Sequence, residues 1–401
     1  MEEDRFNDEQ SKVVWKDLNY YIPVGRLVYN LLSKCVPFIP AQEKQILCDI
    51  SGCAEPGKFL AIIGPSGAGK TTLLNILCKR MNIGRKEGET TLNGTSLSSS
   101  SLSEKYKQSI GYVIQHDALL PFLTVFETLM YSGMLTLPNS LSTSMKVKRI
   151  KEIMNEVGLK KVANQYVGNE LVRGISGGEK KRLSIAIELL RSPCILFLDE
   201  PTSGLDAKNA LILCENLARL AHKYKYTVIT TIHQPRAQIF NQFDDLLILA
   251  EGGKQIYFGP RSETLSYFDS QGLESPIHEN PADFFIDCVT VDYKDDILQR
   301  ESRERVKKLN ENWKEVSTFK EMDPYFEDDK YSFSKKSKGA NFFQQIFWIL
   351  YRENLNEYRN VPATFTRVAQ SIMMALILGT LYFQIDNDQS TITDRNGIFF
   401  F

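Results

Sequence analysis

The sequence predicts an α/β fold: a mostly parallel sheet core with a helical subdomain, then a charged linker, an amphipathic helix and one long apolar α-helix. Three observations predict it. Gly64–Thr72, GPSGAGKTT, directly follows the continuous apolar run Phe59–Ile63, in the order strand, phosphate loop, helix. Short apolar runs at Cys194–Leu198, Thr227–Thr231 and Leu246–Leu249 alternate with helical patterns, as parallel strands joined by crossovers do. Val368–Ile385 then runs 18 residues without a charge.

In chain order, Val13–Ile22 is rich in β-branched and aromatic residues and reads as an opening strand. Residues 23–45 read as a long connection with a short apolar helix around Leu27–Leu32. A helix is expected over Lys70–Lys79, a turn at Asn93–Gly94 and a buried strand at Ile110–Ile114. Thr124 with Glu127 forms a capping box that opens a helix toward Leu135. Ile150, Ile153, Met154 and Val157 repeat at helical spacing, and Gly158 closes that helix. Residues 292–340 are densely charged and read as a solvated linker with helical pieces. Asn341–Tyr358 is amphipathic, with Phe342, Phe343, Ile346, Phe347 and Leu350 on one stripe.

Val368–Ile385 is at the short end for a bilayer-spanning helix. Arg352, Arg359 and Arg367 before it, and Asp386 and Asp388 after it, fit entry from the cytoplasmic side. Gln370, Ser371 and Gln384 dilute it, so hydropathy alone leaves a buried helix of a soluble core open. The acidic start MEEDRFNDEQ lacks the pattern of a secretory signal, and the closing GIFFF suggests a chain cut at the start of another apolar segment.

A net charge of −1 offers no global field for nucleic acid, and the basic runs Lys146–Lys151 and Lys180–Arg182 read as solvated helix faces. Seven cysteines without a C-x-x-C pair read as buried thiols of a reducing compartment.

The chemistry lies in three motifs in one order: Gly64–Thr72, Ile175–Glu179 (ISGGE) and Ile195–Asp206 (ILFLDEPTSGLD). Gly64, Pro65, Ser66, Gly67, Ala68 and Gly69 form a loop whose glycines let backbone N–H groups curl around an ATP triphosphate, Pro65 having no N–H to give. The helix opening at Lys70 points its positive end at the same phosphates. Lys70 is expected on the β- and γ-phosphates, the Thr71 hydroxyl on Mg²⁺, and Thr72 completes the cradle. Asp199 ends an apolar strand, which presents it to the magnesium shell, and Glu200 beside it is placed to deprotonate the attacking water.

These motifs, with Gln115 after the Ile110–Ile114 strand and His233 after Thr227–Thr231, resemble the nucleotide-binding domain of ATP-binding cassette (ABC) proteins. The resemblance implies a P-loop ABC ATPase domain that works as a face-to-face pair. It implies that Gln115 couples magnesium to the helical subdomain and that His233, otherwise an ordinary structural histidine, contacts the γ-phosphate. Ser176, Gly177, Gly178 and Glu179 would form the signature, with Ser176 and Gly178 clamping the γ-phosphate held by the other subunit. Asp206 would lie in the loop crossing the dimer interface. Thr231–Arg236 (TIHQPR), Asn280–Phe284 (NPADF) and Leu123–Leu129 (LTVFETL) look like the White-type subfamily G, as do Tyr358–Asn360 and Asp394–Phe401 around the apolar segment. Two features depart from many ABC cassettes: Ile22 stands where an aromatic ring often stacks on adenine, and Glu179 where Gln is common.

The resemblance implies a half-size exporter in a membrane, partnered by a second half-transporter (the same chain or another) and by the lipid bilayer. Its cargo would be a hydrophobic substrate such as a lipid or sterol. Domains are expected at 1–290 (cassette, with a helical subdomain at about 115–190), 291–340 (linker), 341–360 (connecting helix), 365–386 (first membrane helix) and 387–401 (an external loop and the start of a second). A soluble ABC ATPase would carry two cassettes or a long coiled-coil insertion, and a non-catalytic cassette would lack a Glu, His or signature residue; neither pattern is present.

Overall fold

Among the described residues ten strands pair into one sheet whose two halves follow different rules. The computed structural model describes residues 10–23, 43–81, 83–97, 106–107, 109–115, 117–170, 172–276, 280–316 and 339–381. The helix expected near 27–32 and the segment 387–401 lie outside these residues. The strands are β1 (Val13–Pro23), β2 (Glu43–Ala54), β3 (Phe59–Ile63), β4 (Arg85–Leu92), β5 (Thr95–Ser96), β6 (Ile110–Val113), β7 (Ile195–Asp199), β8 (Thr227–Thr231), β9 (Asp245–Ala250) and β10 (Lys254–Pro260). Their order is β5-β4-β1-β2-β10-β9-β3-β8-β7-β6.

From β9 to β6 the neighbours are parallel, and β3, β7, β8 and β9 are buried along their whole length, as strands covered on both faces must be. From β5 to β2 the pairs are antiparallel, and β10 returns antiparallel along β9. The sheet is therefore mixed, with the expected parallel core extended by an antiparallel wing.

The helices are α1 (Lys70–Leu77), α2 (Val125–Thr136), α3 (Thr143–Glu156), α4 (Gly177–Leu189), α5 (Ala207–Tyr224), α6 (Ala237–Phe240), α7 (Thr264–Ser270), α8 (Pro281–Val289), α9 (Asp296–Val316), α10 (Phe342–Arg359) and α11 (Val361–Leu381). The Thr124–Glu127 capping box opens α2, and α2 to α4 form the helical block between β6 and β7.

The charged stretch after 291 departs from the solvated-linker reading over α9. Val306, Leu309 and Trp313 are buried, with the Trp313 ring centroid 5.4 Å from that of Tyr257 and 5.5 Å from that of Tyr267. Asn310 Nδ2 donates to Gln255 O at 2.7 Å, and Lys314 pairs with Asp49 at 2.6 Å. Its apolar residues are few but fall on one helical face, which suffices to dock it on β10.

Helix α10 packs on α2: Trp348 and Tyr351 lie 6.2 and 6.0 Å from the Tyr131 ring, and Arg359 reaches both oxygens of Glu127 at 2.7 and 2.9 Å. The Phe342–Leu350 stripe faces away from the cassette and is exposed. Helix α11 begins at Val361, earlier than expected, with Pro362 in its first turn, and is exposed along its span Val361–Thr380.

Trp313→Ala is expected to lower the stability of the cassette by about 3 kcal/mol, because a large ring leaves a cavity between α9 and the sheet. Thermal unfolding followed by limited proteolysis within 296–316 checks this. Unchanged melting and protection would mean that α9 contributes nothing to the cassette core.

Candidate functional site

The phosphate loop is shaped by what lies behind it. Gly64 has φ +152°, and a Cβ there would come within 2.1 Å of Leu249 O; Gly69, the N-cap of α1, has φ +88° and would strike Leu47 Cδ2 at 2.7 Å. Gly67 faces open space on the other side. The loop is thus pressed against β2 and β9 and open on the side of Gly67, as a backbone cradle for an anion must be. Lys70 Nζ lies inside the loop and donates to Gly64 O at 2.8 Å and Pro65 O at 2.9 Å. Burial lowers its pKa, while Glu200 and Asp199 push the other way.

At the ends of the parallel strands four elements converge. Thr71 Oγ1 donates to Asp199 Oδ1 at 3.0 Å, and Thr231 Oγ1 donates to the same oxygen at 2.7 Å. Glu200 N donates to Thr231 Oγ1 at 2.9 Å, and Gln115 Nε2 donates to Glu200 Oε2 at 2.8 Å. The Thr71 hydroxyl and the Asp199 carboxylate are hard oxygen donors within contact distance, a set that fits Mg²⁺. Glu200 has φ +44°, as has Gln234 beyond His233. Such backbone is uncommon for these residues. His233 is exposed two residues past Thr231.

Ser176, Gly177, Gly178 and Glu179 form a separate group at the start of α4. Among the described residues, no hydrogen bond or ion pair joins them to Lys70, Asp199 or Glu200. Ser176 caps α4 reciprocally with Glu179, and Ser176 and Gly177 are exposed. A Cβ on Gly178 would sit 3.0 Å from Asn209, so glycine there lets α4 approach α5. Asp206 caps α5, accepting from Asn209 N at 3.3 Å; the Asn209 side chain and backbone bonds hold its carboxyl below the usual range.

Residues 47–203 match the family model described as ABC transporter, and residues 233–348 and 344–401 match two described as ABC-2 type transporter. The chain is 38% identical over 382 residues to the rat broad substrate specificity ATP-binding cassette transporter ABCG2, covering 90% of this chain and 57% of that protein. It is 36% identical over 373 residues to ABC transporter G family member 25 of Arabidopsis thaliana, covering 90% and 55%. A probable ATP-dependent permease of Saccharomyces cerevisiae is 34% identical over 457 residues, covering 94% and 43%. The chain thus spans about half the length of these relatives. A dimeric bacterial ABC transporter cassette of known structure aligns with 62% of this chain and 98% of its own, with a TM-score of 0.49 and 24% identity.

One residue corrects the reading of Lys180–Arg182 as a solvated face. Lys181 is 3% exposed and spends its three protons on Ile114 O at 3.2 Å, Gln115 O at 2.9 Å and Asp117 Oδ1 at 3.0 Å. Ser184 Oγ adds a bond to the same Asp117 oxygen at 2.7 Å. The signal was its spacing: Gly178, Lys181 and Ile185 share the buried face of α4. Lys181→Met is expected to cost about 3 kcal/mol in a denaturant melt, since Asp117 and two carbonyls lose a buried cation. Lys181→Arg should recover much of it. Equal stability of wild type and Lys181→Met would mean the contact is not formed in solution.

Proposed function

The chain belongs to the ABC transporter family, in its G branch, and from that premise we propose that it is the ATP-binding and ATP-hydrolysing half of a membrane exporter that works as a pair. The observation that carries this reading is the convergence of Thr71, Thr231 and Asp199 beside the Glu200–Gln115 contact. Lys70 would exchange two neutral carbonyls for the β- and γ-phosphates of ATP, with the N–H groups of Gly64–Thr72 around them. Thr71, Asp199 and Gln115 would hold Mg²⁺, which when bound would supply positive charge against the phosphates.

Glu200 would take a proton from the attacking water as the water oxygen bonds to the γ-phosphorus and ADP leaves with the bond electrons. Its present bond to Gln115 occupies one of the two carboxylate oxygens. His233 would meet the γ-phosphate from the end of β8. Ser176 and Gly178 of the partner would reach it from across the pair, with Asp206 at the interface.

Helices α10 and α11 would carry closure into the bilayer, with the cassette on the cytoplasmic side. The partner is a second half-transporter, either the same chain or another, and the cargo is a hydrophobic small molecule such as a lipid or sterol. A broad substrate range named for the mammalian relative and the exposed aromatic face of α10 support that class.

Glu200→Gln in the full-length protein in lipid vesicles is expected to retain ATP binding while turnover falls about a hundredfold or more. Unchanged turnover would overturn the role of Glu200. Arg359→Ala is expected to keep ATP binding but reduce ATP-driven export by on the order of tenfold, because the ion pair between α2 and α10 is lost. Undiminished export would show that coupling takes another route.

A further inference from the structure

The start of α4, which the proposed function assigns to the partner's nucleotide, already holds an anion of its own. Glu179 Oε2 accepts from Ser176 N at 2.8 Å and from Ser176 Oγ at 2.8 Å, while Glu179 N donates to Ser176 Oγ at 3.3 Å. A helix start carries a partial positive charge that an acidic side chain there offsets. The Ser176 hydroxyl has one proton to give, and Glu179 now receives it. The two cations next in sequence are engaged elsewhere: Lys180 Nζ donates to Gly168 O at 2.8 Å, and Lys181 holds the loop around Gln115.

We propose that Glu179 is an internal competitor of the γ-phosphate at the signature helix and so sets the ATP concentration at which two copies close. This rests on the reading of Ser176 as the contact made across the pair. A phosphate reaching Ser176 must take over the hydroxyl proton and displace, or lie against, a carboxylate of like charge. Glutamine completes the same capping box without the charge, so the helix start does not require an acid there. The charge acts on the incoming anion. Once phosphate leaves, Glu179 regains both bonds from Ser176, which favours reopening.

The test uses the full-length protein in lipid nanodiscs with Glu200→Gln in both arms, and closure read by energy transfer between labelled cassettes. Adding Glu179→Gln is expected to bring half-closure at about three- to tenfold lower ATP, by removing a like charge near the bound phosphate. ADP affinity, measured by displacement of a fluorescent nucleotide, should stay constant, since ADP brings no γ-phosphate. An unchanged ATP midpoint, or an equal shift for ADP, would overturn the proposal. Glu179→Ala, which removes the box itself, separates loss of helix capping by lowering the melting temperature where Glu179→Gln does not. Ser176→Ala separates the two readings. If it weakens closure while Glu179→Gln leaves the midpoint unmoved, the competitor role fails alone; if it leaves closure intact, the contact across the pair fails with it.

Discussion

A carboxylate only 6% exposed at the end of β7 constrains everything around it. An acid withdrawn from water must be hydrogen-bonded or it destabilises the fold by several kcal/mol, on the order given for buried charges. Asp199 finds its donors on either side, Thr71 at the start of α1 and Thr231 at the end of β8. That requirement fixes the register of the parallel strands, in which Asp199 lies opposite Thr231 and Thr231 opposite Ile62. A slip by one residue would bring Thr230, whose hydroxyl is turned back onto Leu198 O, to the place of Thr231. It would also remove the acceptor that holds Glu200 N and hence the left-handed turn that aims Glu200. The site therefore sits where ligands of open parallel sheets are found, outside the carboxyl ends of the strands.

The same site is wired into the helical block through a few side chains. Gln115 reaches Glu200 with its amide, while its own carbonyl is held by Lys181 in the middle of α4. Ser176 caps that same helix one turn and a half earlier, so the Gln115 loop and the N-cap are attached to one helix. Helix α2 lies next in line, and its Glu127 serves two masters: it closes the capping box with Thr124 and binds the Arg359 guanidinium. Arg359 is the largest cause of the lowered Glu127 pKa, so this contact is strongest with the acid ionised and weakens as pH falls through the lowered value.

How much of this was legible follows from how each element declares itself. The parallel strands were legible because burial on both faces leaves continuous apolar runs, and α2 because its capping box is local chemistry. Strand β4, RKEGETTL, was not: five of its residues are exposed, and its pairing with β1 is a long-range contact that no local pattern records. Helix α9 hid its docking face among charges. In the site, the residues of the three phosphate motifs were legible, whereas the roles of Thr231, though it stands in a quoted motif, and of Lys181 were not, because they come from partners far along the chain, 32 residues away for Thr231 and 66 for Lys181.

Helices α10 and α11 pose a different physical problem, since neither can bury its apolar side chains within the cassette. Phe343 is 82% exposed, Phe347 57% and Leu376 64%. At about 25 cal/mol per Å² of apolar surface, side chains of this size each favour removal from water by about 1.5–3 kcal/mol. Spread over two helices, that is more than an ordinary surface sustains. The 21 residues of α11 are about 32 Å long, close to the thickness of about 30 Å of a bilayer's hydrocarbon core. Arg367, the charged residue within α11, lies in its second turn and pairs with Glu357 at 2.9 Å, and Arg359 is turned back to Glu127. The cassette holds α10 through the Arg359–Glu127 ion pair together with the Trp348 and Tyr351 rings against Tyr131, and leaves the apolar side chains of α11 outside any protein core.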